Sequence, residues 1–257
     1  MRSYRYSYQT IVRYDSTVSH HHFLLRCTPR GDGNQRIVEQ DLHLLTPTHI
    51  SNSTDVFGNN IHYGSMMDRH DMFVVASSGV VQCYDYRIED ANPQQVYLVA
   101  TPMTTCSRQM VDFEQEISGT GSTLDQAIAL ANAIHTTMSY APGVTSTQTK
   151  ASESFRLKVG VCQDFAHILI AMCRKRAIFA RYVAGFVAGT GETHAWVEIY
   201  CNGGWYGVDP THNLFIVSDY IKVAHGRDAS DCSVTRGVHM GASAHTTEVR
   251  VLLEQLF

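Results

Sequence analysis

The sequence has 257 residues, of which 44% are hydrophobic and 17% are charged, and its formal net charge is −4. A chain of this length can form two domains and bury a sizeable core. Its charge is small and it has no long run of Lys or Arg, so neither nucleic acid nor an anionic membrane is an expected partner. The N-terminal stretch lacks the apolar core of a signal peptide, and no segment is apolar enough to span a bilayer. We therefore expect a cytoplasmic protein.

Seven cysteines are scattered along the chain, at positions 27, 83, 106, 162, 173, 201 and 232. Their number is odd and no CxxC pair occurs, so the sequence predicts neither a disulfide framework nor a zinc knuckle. Most of these thiols are expected to be free and buried.

Short β-rich runs separated by turn signals occupy the first part of the chain, such as YRYSYQTIVRY, HHHFLLRCTPR and NNIHYGSMM. The predicted turns lie at residues 31–34, 58–60, 77–79 and 91–93, where Gly, Asn, Ser and Pro concentrate. Several short strands at this spacing are typical of an antiparallel sandwich or barrel. We therefore predict an N-terminal antiparallel β-sandwich domain over residues 1–112.

Helical patterns begin after residue 118, and strands return from residue 180. Ser122 is a predicted N-cap, with Asp125 three residues later, and the apolar stripe that follows consists of Leu124, Ile128, Ala131, Ile134 and Met138. A second small helix is predicted around residues 148–157. Helices followed by a sheet indicate an α+β domain over residues 113–257.

Cys162 stands directly before an amphipathic helical pattern, in the stretch GVCQDFAHILIAMCRK. Apolar side chains recur at helical spacing at Phe165, Ile168, Leu169, Met172 and Cys173. The helix is therefore predicted to begin at or just after Cys162, where unpaired N–H groups and the helix dipole stabilise a thiolate and a developing oxyanion. A nucleophile and a packed cysteine are both compatible with this position. Cys173, inside the stripe, is predicted to be a core residue.

A hairpin is predicted over THAWVEIYCNGGWYGVDPTHN, with residues 202–203 as its two-residue turn. Counting outward from this turn places four side chains on one face, those of His194, Trp196, Asp209 and Thr211. His194 and Asp209 become diagonal neighbours within reach of a hydrogen bond, although a surface ion pair is the alternative. With Cys162 upstream, the pattern favours a cysteine nucleophile, a histidine base and an aspartate that orients the histidine.

The other histidines receive structural interpretations. His167 follows Cys162 by five positions, which turns it about 140° around the helix axis, away from Cys162. The histidine run at residues 20–22 is predicted to lie on a surface strand or loop, because it has no partner residues at metal-ligand spacing.

Five motifs together resemble the transglutaminase-like superfamily, in particular the bacterial transglutaminase-like cysteine peptidases with an N-terminal β domain. They are GVCQDFAH at 160–167, ARYVAGF at 180–186, HAWVEIY at 194–200, GWYGVDPTHN at 204–213 and VAHGRDASD at 223–231. The resemblance covers about residues 120–245, and FLLRCTPR and DVFGNNIHY are similar to the family's β domain.

The resemblance implies a papain-like core, in which a helix that begins at the cysteine packs on an antiparallel sheet. It implies that Cys162 is the nucleophile, His194 the general base and acid, and Asp209 the orienting residue. Gln163 and Tyr140 are candidates for the second oxyanion donor, and Trp196 is expected beside the site. No cofactor and no metal ion are implied, and the expected partner is a peptide or amide substrate; homo-oligomer formation is left open.

The expected chemistry is acyl transfer on an amide or peptide bond through a thioester, with water as the favoured acceptor. An amine acceptor would make the protein a protein-glutamine transglutaminase with the same residues. A non-catalytic binding module on the same fold, and a metal-dependent hydrolase with His and Cys ligands, are the two other classes of function.

The remaining motif residues have structural interpretations. Asp164 is expected to cap the helix or to bond a neighbouring loop, and Arg181 to pair with a buried carboxylate, for which Asp164 is one candidate. Trp205 is expected to pack beside the site with Trp196. Arg227 and Asp228 are expected to fix a loop, with a substrate contact as the alternative.

Overall fold

The structure, a computed structural model, describes residues 1–46 and 49–256. The N-terminal part contains β1 (Arg2–Leu25), β2 (Gln35–Leu44), β3 (Ile50–Thr54), β4 (Asn60–Met66), β5 (His70–Cys83), β6 (Arg87–Glu89) and a 3₁₀ helix (Gln95–Leu98). A helical stretch follows, with α1 (Arg108–Glu116), α2 (Thr123–Thr137), β7 (Ser139–Tyr140), α3 (Ala151–Leu157), β8 (Val159–Gly160) and α4 (Cys162–Lys175). The remaining strands are β9 (Ala180–Val187), β10 (Gly189–Gly191), β11 (His194–Cys201), β12 (Gly204–Asp209), β13 (Leu214–Phe215), β14 (Tyr220–Gly226), β15 (Thr235–Met240) and β16 (His245–Gln255).

The 24-residue strand β1 organises an eight-stranded antiparallel sheet. Its first half lies between β16 and β5, and its second half lies between β15 and β4. The register with β5 shifts between Arg13 and Val18, and such an irregularity bends a strand. Alternate side chains of the first half, those of Tyr4, Tyr6 and Tyr8, are buried beneath the curled sheet.

The second sheet has six strands, in the order β13-β12-β11-β9-β14, with β6 beside β12. The helix α4 packs on one face of it, where its apolar stripe shares a core with Ala195, Val197 and Ile199 of β11. The opposite face is covered around Trp196, which packs with Tyr86, Val183, Ile216 and Tyr220. This two-layer arrangement of a helix on a sheet follows from the period-2 alternation of β11.

Two amide side chains from the N-terminal part bond the backbone at the outer edge of β14, whose residues are all buried. The Gln35 side chain donates to the carbonyl oxygen of Lys222 at 2.7 Å and accepts from its backbone N–H at 2.8 Å. Asn59 makes the same pair of bonds with the backbone of His225, at 2.8 and 2.9 Å. An edge strand presents unpaired backbone groups, so these amides replace a neighbouring strand and fix the position of the two sheets.

The α+β prediction is confirmed, with differences in two elements. Residues 77–79 are not a turn but lie inside β5, where a side chain on Gly79 would meet the Glu39 carbonyl oxygen at 2.1 Å. That glycine serves close strand approach rather than chain reversal. In α2 the predicted cap at Ser122 is present, but Ile128 is 37% exposed, and the buried stripe is Ala127, Leu130, Ala131 and Ile134.

The hydrogen bonding does not follow the predicted boundary at residues 112 and 113, which stays a prediction. The strands β15 and β16 pair with β1, so the C-terminal segment completes the N-terminal sheet. No helix among the described residues is both long enough and apolar enough to cross a membrane.

Candidate active site

Cys162 is the first residue of α4, as the glycine-containing turn before the helix predicts. The Asp164 carboxylate accepts hydrogen bonds from the Val161 backbone N–H at 2.8 Å and from the Thr145 hydroxyl at 2.7 Å. A side chain at Gly160 would meet Asp164 at 2.6 Å, so only glycine fits this approach. The predicted capping role of Asp164 therefore holds the turn that positions the thiol.

The hairpin of β11 and β12 has the register that the sequence predicts, with Cys201 opposite Gly204 and Val197 opposite Val208. Just beyond this ladder, Nε2 of His194 lies 2.7 Å from Oδ2 of Asp209. The Asp209 side chain is fully buried, and that of His194 is 12% exposed. Since Nε2 is bound to the carboxylate, Nδ1 is the ring nitrogen left for another partner.

Asp209 receives more hydrogen bonds than the sequence suggested. Besides His194, its Oδ2 accepts from the Tyr220 hydroxyl at 2.7 Å and lies 2.8 Å from Nδ1 of His212. Its Oδ1 accepts from the backbone N–H of Thr211 at 2.8 Å. Burial alone would raise the pKa of Asp209, but the bonds to His194, His212 and Tyr220 hold it far below its usual range. The carboxylate therefore stays ionised.

Cys162 and His194 line the same cavity of about 500 Å³. Burial lowers the pKa of His194, but hydrogen bonds to Asp209 and to the Cys162 side chain outweigh it and raise the pKa to about 9. The imidazole is therefore protonated at neutral pH, with its Nε2 on the Asp209 carboxylate. Cys162 at the start of α4 and His194 at the start of β11 thus face one cavity.

The other candidate residues lie at different distances from this centre. Gln163 lines the cavity, and its Nε2 donates to the Thr147 carbonyl at 3.3 Å. Tyr140 pairs with Gly160 across β7 and β8, and its side chain is 55% exposed. Burial, followed by the charge of Cys162, raises the pKa of the Tyr140 hydroxyl. Both residues stay predictions as oxyanion donors.

Trp196 is fully buried directly beneath the histidine. Its ring lies 6.4 Å from the His194 ring, with an angle of 21° between the planes. The Trp196 indole N–H donates to the Tyr86 hydroxyl, which donates to Glu198, both at 2.7 Å. Trp196 therefore packs beside the site, as predicted, and a hydrogen-bonded chain fixes its orientation.

Glu198, and not Asp164, is the carboxylate that pairs with Arg181, so the candidate partner was wrong. The two carboxylate oxygens of Glu198 are shared by Arg181, Tyr86 and Lys222, whose Nζ lies 3.0 Å away. Burial would raise the pKa of Glu198, but the two cations lower it to about 2. Glu198 lies within the motif HAWVEIY, but the sequence analysis did not pair β9 with β11, and that pairing is what places Glu198 opposite Arg181.

Trp205 does not line the catalytic cavity, contrary to expectation. Its indole N–H donates to Asp90 at 2.9 Å, and the Arg181 guanidinium lies 4.1 Å from its ring centre. It lies further along the hairpin, toward the turn, and contacts Tyr97 of the 3₁₀ helix. Trp205 therefore supports the sheet and not the reacting groups.

The loop after β14 is held by the residues that the sequence marked as structural. Arg227 pairs with Asp231 at 2.9 Å, and Asp228 accepts from the Ser230 backbone N–H at 2.8 Å. His167 is fully buried, and its Nε2 accepts from the Ala229 backbone N–H at 3.0 Å. These bonds fix one wall of the cavity.

His194, Asp209 and His212 form the one group among the described residues whose ligand atoms, all within 4.8 Å, could surround a metal ion. The sequence analysis missed it because His212 stands in a turn with no recognised spacing. The same atoms already bond to one another, and Asp209 Oδ2 also accepts from Tyr220. A metal ion would therefore replace the contact that holds His194 beside the thiol.

The histidine run at residues 20–22 lies on β1, as predicted, but only its outer members reach the surface. His21 is 2% exposed, and its Nδ1 lies 3.3 Å from Nε2 of His70. Burial, followed by the neighbouring histidines His70, His239 and His22, lowers the pKa of His21 to about 4. None of these histidines lines the cavity that Cys162 and His194 share.

Comparison with known families divides the chain into two matched regions. Residues 111–210 match the transglutaminase-like superfamily core, and residues 4–82 match the bacterial transglutaminase-like N-terminal region. The first region contains Cys162, His194 and Asp209, and the second contains most of the curled sheet. The two matches agree with the two resemblances that the sequence motifs indicated.

Similar proteins extend over nearly the whole chain. An uncharacterized protein of Mycobacterium leprae is 26% identical over 254 residues, covering 90% of this chain and 91% of that protein. One of Mycobacterium tuberculosis is 27% identical over 272 residues, covering 91% and 87% respectively. A crystal structure from Cytophaga hutchinsonii, provisionally described as a cysteine protease, has a TM-score of 0.84 and 22% identity, and covers 100% of this chain and 91% of its own. At that identity the last likeness establishes the fold alone.

Proposed function

The chain belongs to the transglutaminase-like superfamily, and from this we propose that it is a cysteine-dependent enzyme that hydrolyses amide or peptide bonds through a thioester on Cys162. The observation that carries the proposal is the position of His194. Its ring bonds the Asp209 carboxylate at 2.7 Å, it lines the same cavity as Cys162, the first residue of α4, and the Cys162 side chain helps to raise its pKa.

In the first half-reaction Cys162 attacks the carbonyl carbon of the substrate as the thiolate, the proton of its thiol being held by His194. The negative charge that develops on the carbonyl oxygen is stabilised by backbone N–H groups at the start of α4, which have no acceptor within the helix. The protonated His194 gives its proton to the leaving amine as the C–N bond breaks. A thioester with Cys162 remains.

In the second half-reaction a water molecule attacks the thioester carbonyl. The imidazole of His194 takes a proton from the water, and the C–S bond breaks to release a carboxylic acid and the Cys162 thiolate beside the protonated His194. Asp209 keeps the ring oriented and stabilises its positive charge throughout. Attack by an amine in place of water would give a new amide with the same residues.

Thiol labelling tests the nucleophile without knowledge of the substrate. Cys162 is expected to react with iodoacetamide faster than the other six cysteines, because five of them are buried and none of the six bonds to a histidine that this structure describes. The His194→Ala variant should lose this advantage. Peptide mass spectrometry measures the labelling rate at each cysteine. A Cys162 that labels at the same rate in the wild type and in His194→Ala would overturn the proposal.

Turnover on a peptide library then tests the reaction class. The wild type should release free carboxylic acids, the Cys162→Ala variant should release none, and circular dichroism should show the same fold in both. Adding a primary amine measures the competing transfer: a product that is mainly the new amide would replace hydrolysis by transglutamination as the assigned activity.

A further inference from the structure

The cavity beside Cys162 has an uneven charge. Seventeen residues line it, and none of them is Asp or Glu. The cationic side chains in the lining are Arg236 and His194, which is protonated at neutral pH because its pKa is about 9. Small and apolar side chains form much of the rest, including Ala184, Ala195 and Val234. Such a cavity disfavours a cationic ligand and favours an anionic one.

Arg236 has no carboxylate partner among the described residues. Its Nη2 donates to the carbonyl oxygen of Ser230 at 2.7 Å, which ties the guanidinium to the loop that walls the cavity. Two neighbouring arginines differ in this respect, since Arg26 pairs with Asp55 and Arg227 pairs with Asp231, both at 2.9 Å. Arg236 thus keeps further N–H donors for a ligand.

The backbone also positions Arg236. It lies on β15, opposite Leu24 of β1, so the curled N-terminal sheet supports it rather than a free loop. A guanidinium has five N–H donors in a planar fork that matches the two oxygens of a carboxylate. The bond from Nη2 to Ser230 limits the rotation of the Arg236 guanidinium and leaves its other N–H groups able to bind a carboxylate.

We propose that Arg236 binds a carboxylate of the substrate, and that the enzyme's preferred acyl donors therefore carry an acidic group near the scissile amide. The inference rests on the proposed function, in that Cys162 attacks that amide. Arg236 is a specificity residue in this assignment and takes no part in bond breaking. The carboxylate can belong to an acidic side chain or to a peptide C-terminus, and both present the same two oxygens.

Reactive probes test the proposal independently of turnover. Each probe is an N-bromoacetyl amino acid: the Cys162 sulfur displaces bromide, so a C–S bond forms and the C–Br bond breaks. One pair compares glutamate α-amide with glutamine α-amide, which tests a side-chain carboxylate. A second pair compares alanine with alanine amide, which tests a terminal carboxylate. The measured quantity is the second-order rate at Cys162 by peptide mass spectrometry.

The wild type should alkylate about two- to fivefold faster with the acidic member of one pair than with its neutral partner, the usual worth of an ion pair to an exposed arginine. Arg236→Gln should remove the preference, and its fold should persist because Arg236 is exposed. Arg250→Gln is the matched control: Arg250 is an exposed arginine of β16 that pairs with Glu248, and the variant should keep the preference. Higher salt should reduce the preference in the wild type.

The two proposals fail in different ways. Equal rates for both members of both pairs, or a preference that survives Arg236→Gln, would overturn the Arg236 assignment while a reactive Cys162 upheld the nucleophile. If Cys162 were alkylated no faster than the other cysteines but still preferred the acidic probes in an Arg236-dependent way, the result would count against the proposed catalysis and support the carboxylate site.

Discussion

Asp209 is the residue on which the most hydrogen bonds at the site converge. It binds the rings of His194 and His212 and the hydroxyl of Tyr220, and it is fully buried. A buried carboxylate is costly unless it is bonded in this way, and the bonds fix its orientation. The ring of His194 is in turn held between Asp209 and the Trp196 ring beneath it.

Replacing Asp209 by Asn should lower kcat by about 10²–10⁴-fold and leave measurable activity, because the nucleophile and base remain while the ring loses its anionic partner. Tyr220→Phe removes one of the bonds to Asp209 and should cost less. Steady-state kinetics on an amide substrate measures both. Unchanged kcat in Asp209→Asn would contradict the orienting role.

The pH dependence follows from His194. Its pKa of about 9 in the folded protein exceeds the ordinary value of 6.5, so the bonds to Asp209 and Cys162 contribute stability that is complete below pH 6.5 and is lost as pH rises through about 9. The proton that the leaving amine needs is lost over the same range. Activity should therefore fall with an apparent pKa near 9. In His194→Ala, the free energy of unfolding should no longer decrease over this pH range. Activity that does not change from pH 7 to pH 10 would contradict a protonated His194 imidazole at neutral pH.

The first turn of α4 places the Cys162 thiol at the end of an otherwise buried helix. Asp164 bonds the Val161 backbone and Thr145, and Gly160 leaves room for its side chain. The rest of α4 is buried against β11 and the neighbouring helices α2 and α3. Packing therefore fixes the helix axis, while the capping bonds fix the position of the thiol at its end.

Asp164→Ala should lower the free energy of unfolding by about 1–2 kcal/mol, the usual cost of losing a helix cap, and should also slow the labelling of Cys162. Asp164→Asn keeps an oxygen acceptor, so its free energy of unfolding and its labelling rate should lie between those of Asp164→Ala and the wild type. Urea unfolding measures the first quantity and iodoacetamide labelling the second. If Asp164→Ala lost the expected stability while Cys162 was labelled at the wild-type rate, the cap would not position the thiol.

At the scale of the whole molecule, the two sheets depend on each other. Residues near the C-terminus, in β15 and β16, pair with β1, and β16 does so over eleven residues. Gln35 and Asn59 bond the edge of β14, and Lys222 of that strand pairs with Asp32 at 2.5 Å. The N-terminal part thus supports β15, whose residues Thr235 and Arg236 line the cavity, and supplies partners for buried backbone groups and a buried charge.

A fragment of residues 113–257 should fail to fold, because it leaves β15 and β16 without β1 and leaves Lys222 without Asp32. Buried groups that lose their partners cost about 1–3 kcal/mol each, and more when they are charged. Circular dichroism and gel filtration of the fragment, with the full chain as control, measure the outcome. A folded monomer with a reactive Cys162 would show that the core is autonomous.

The sequence by itself determined the local features of this protein. Glycine and the amphipathic stripe located Cys162 at a helix start, the Asn-Gly turn set the register that aligns His194 with Asp209, and the capping pattern at Ser122 and Asp125 fixed the start of α2. These features depend on neighbours within a few positions or across one tight turn, so their period and turn chemistry are legible in the chain.

Only the tertiary structure decided which distant groups meet. The partner of Arg181, the bonds of Tyr220 and His212 to Asp209, the place of Arg236 in the cavity and the return of β16 to β1 have no signal in sequence spacing. Each results from the way two sheets and a helix pack. Because packing depends on the whole set of buried surfaces at once, no short stretch of the sequence specifies it.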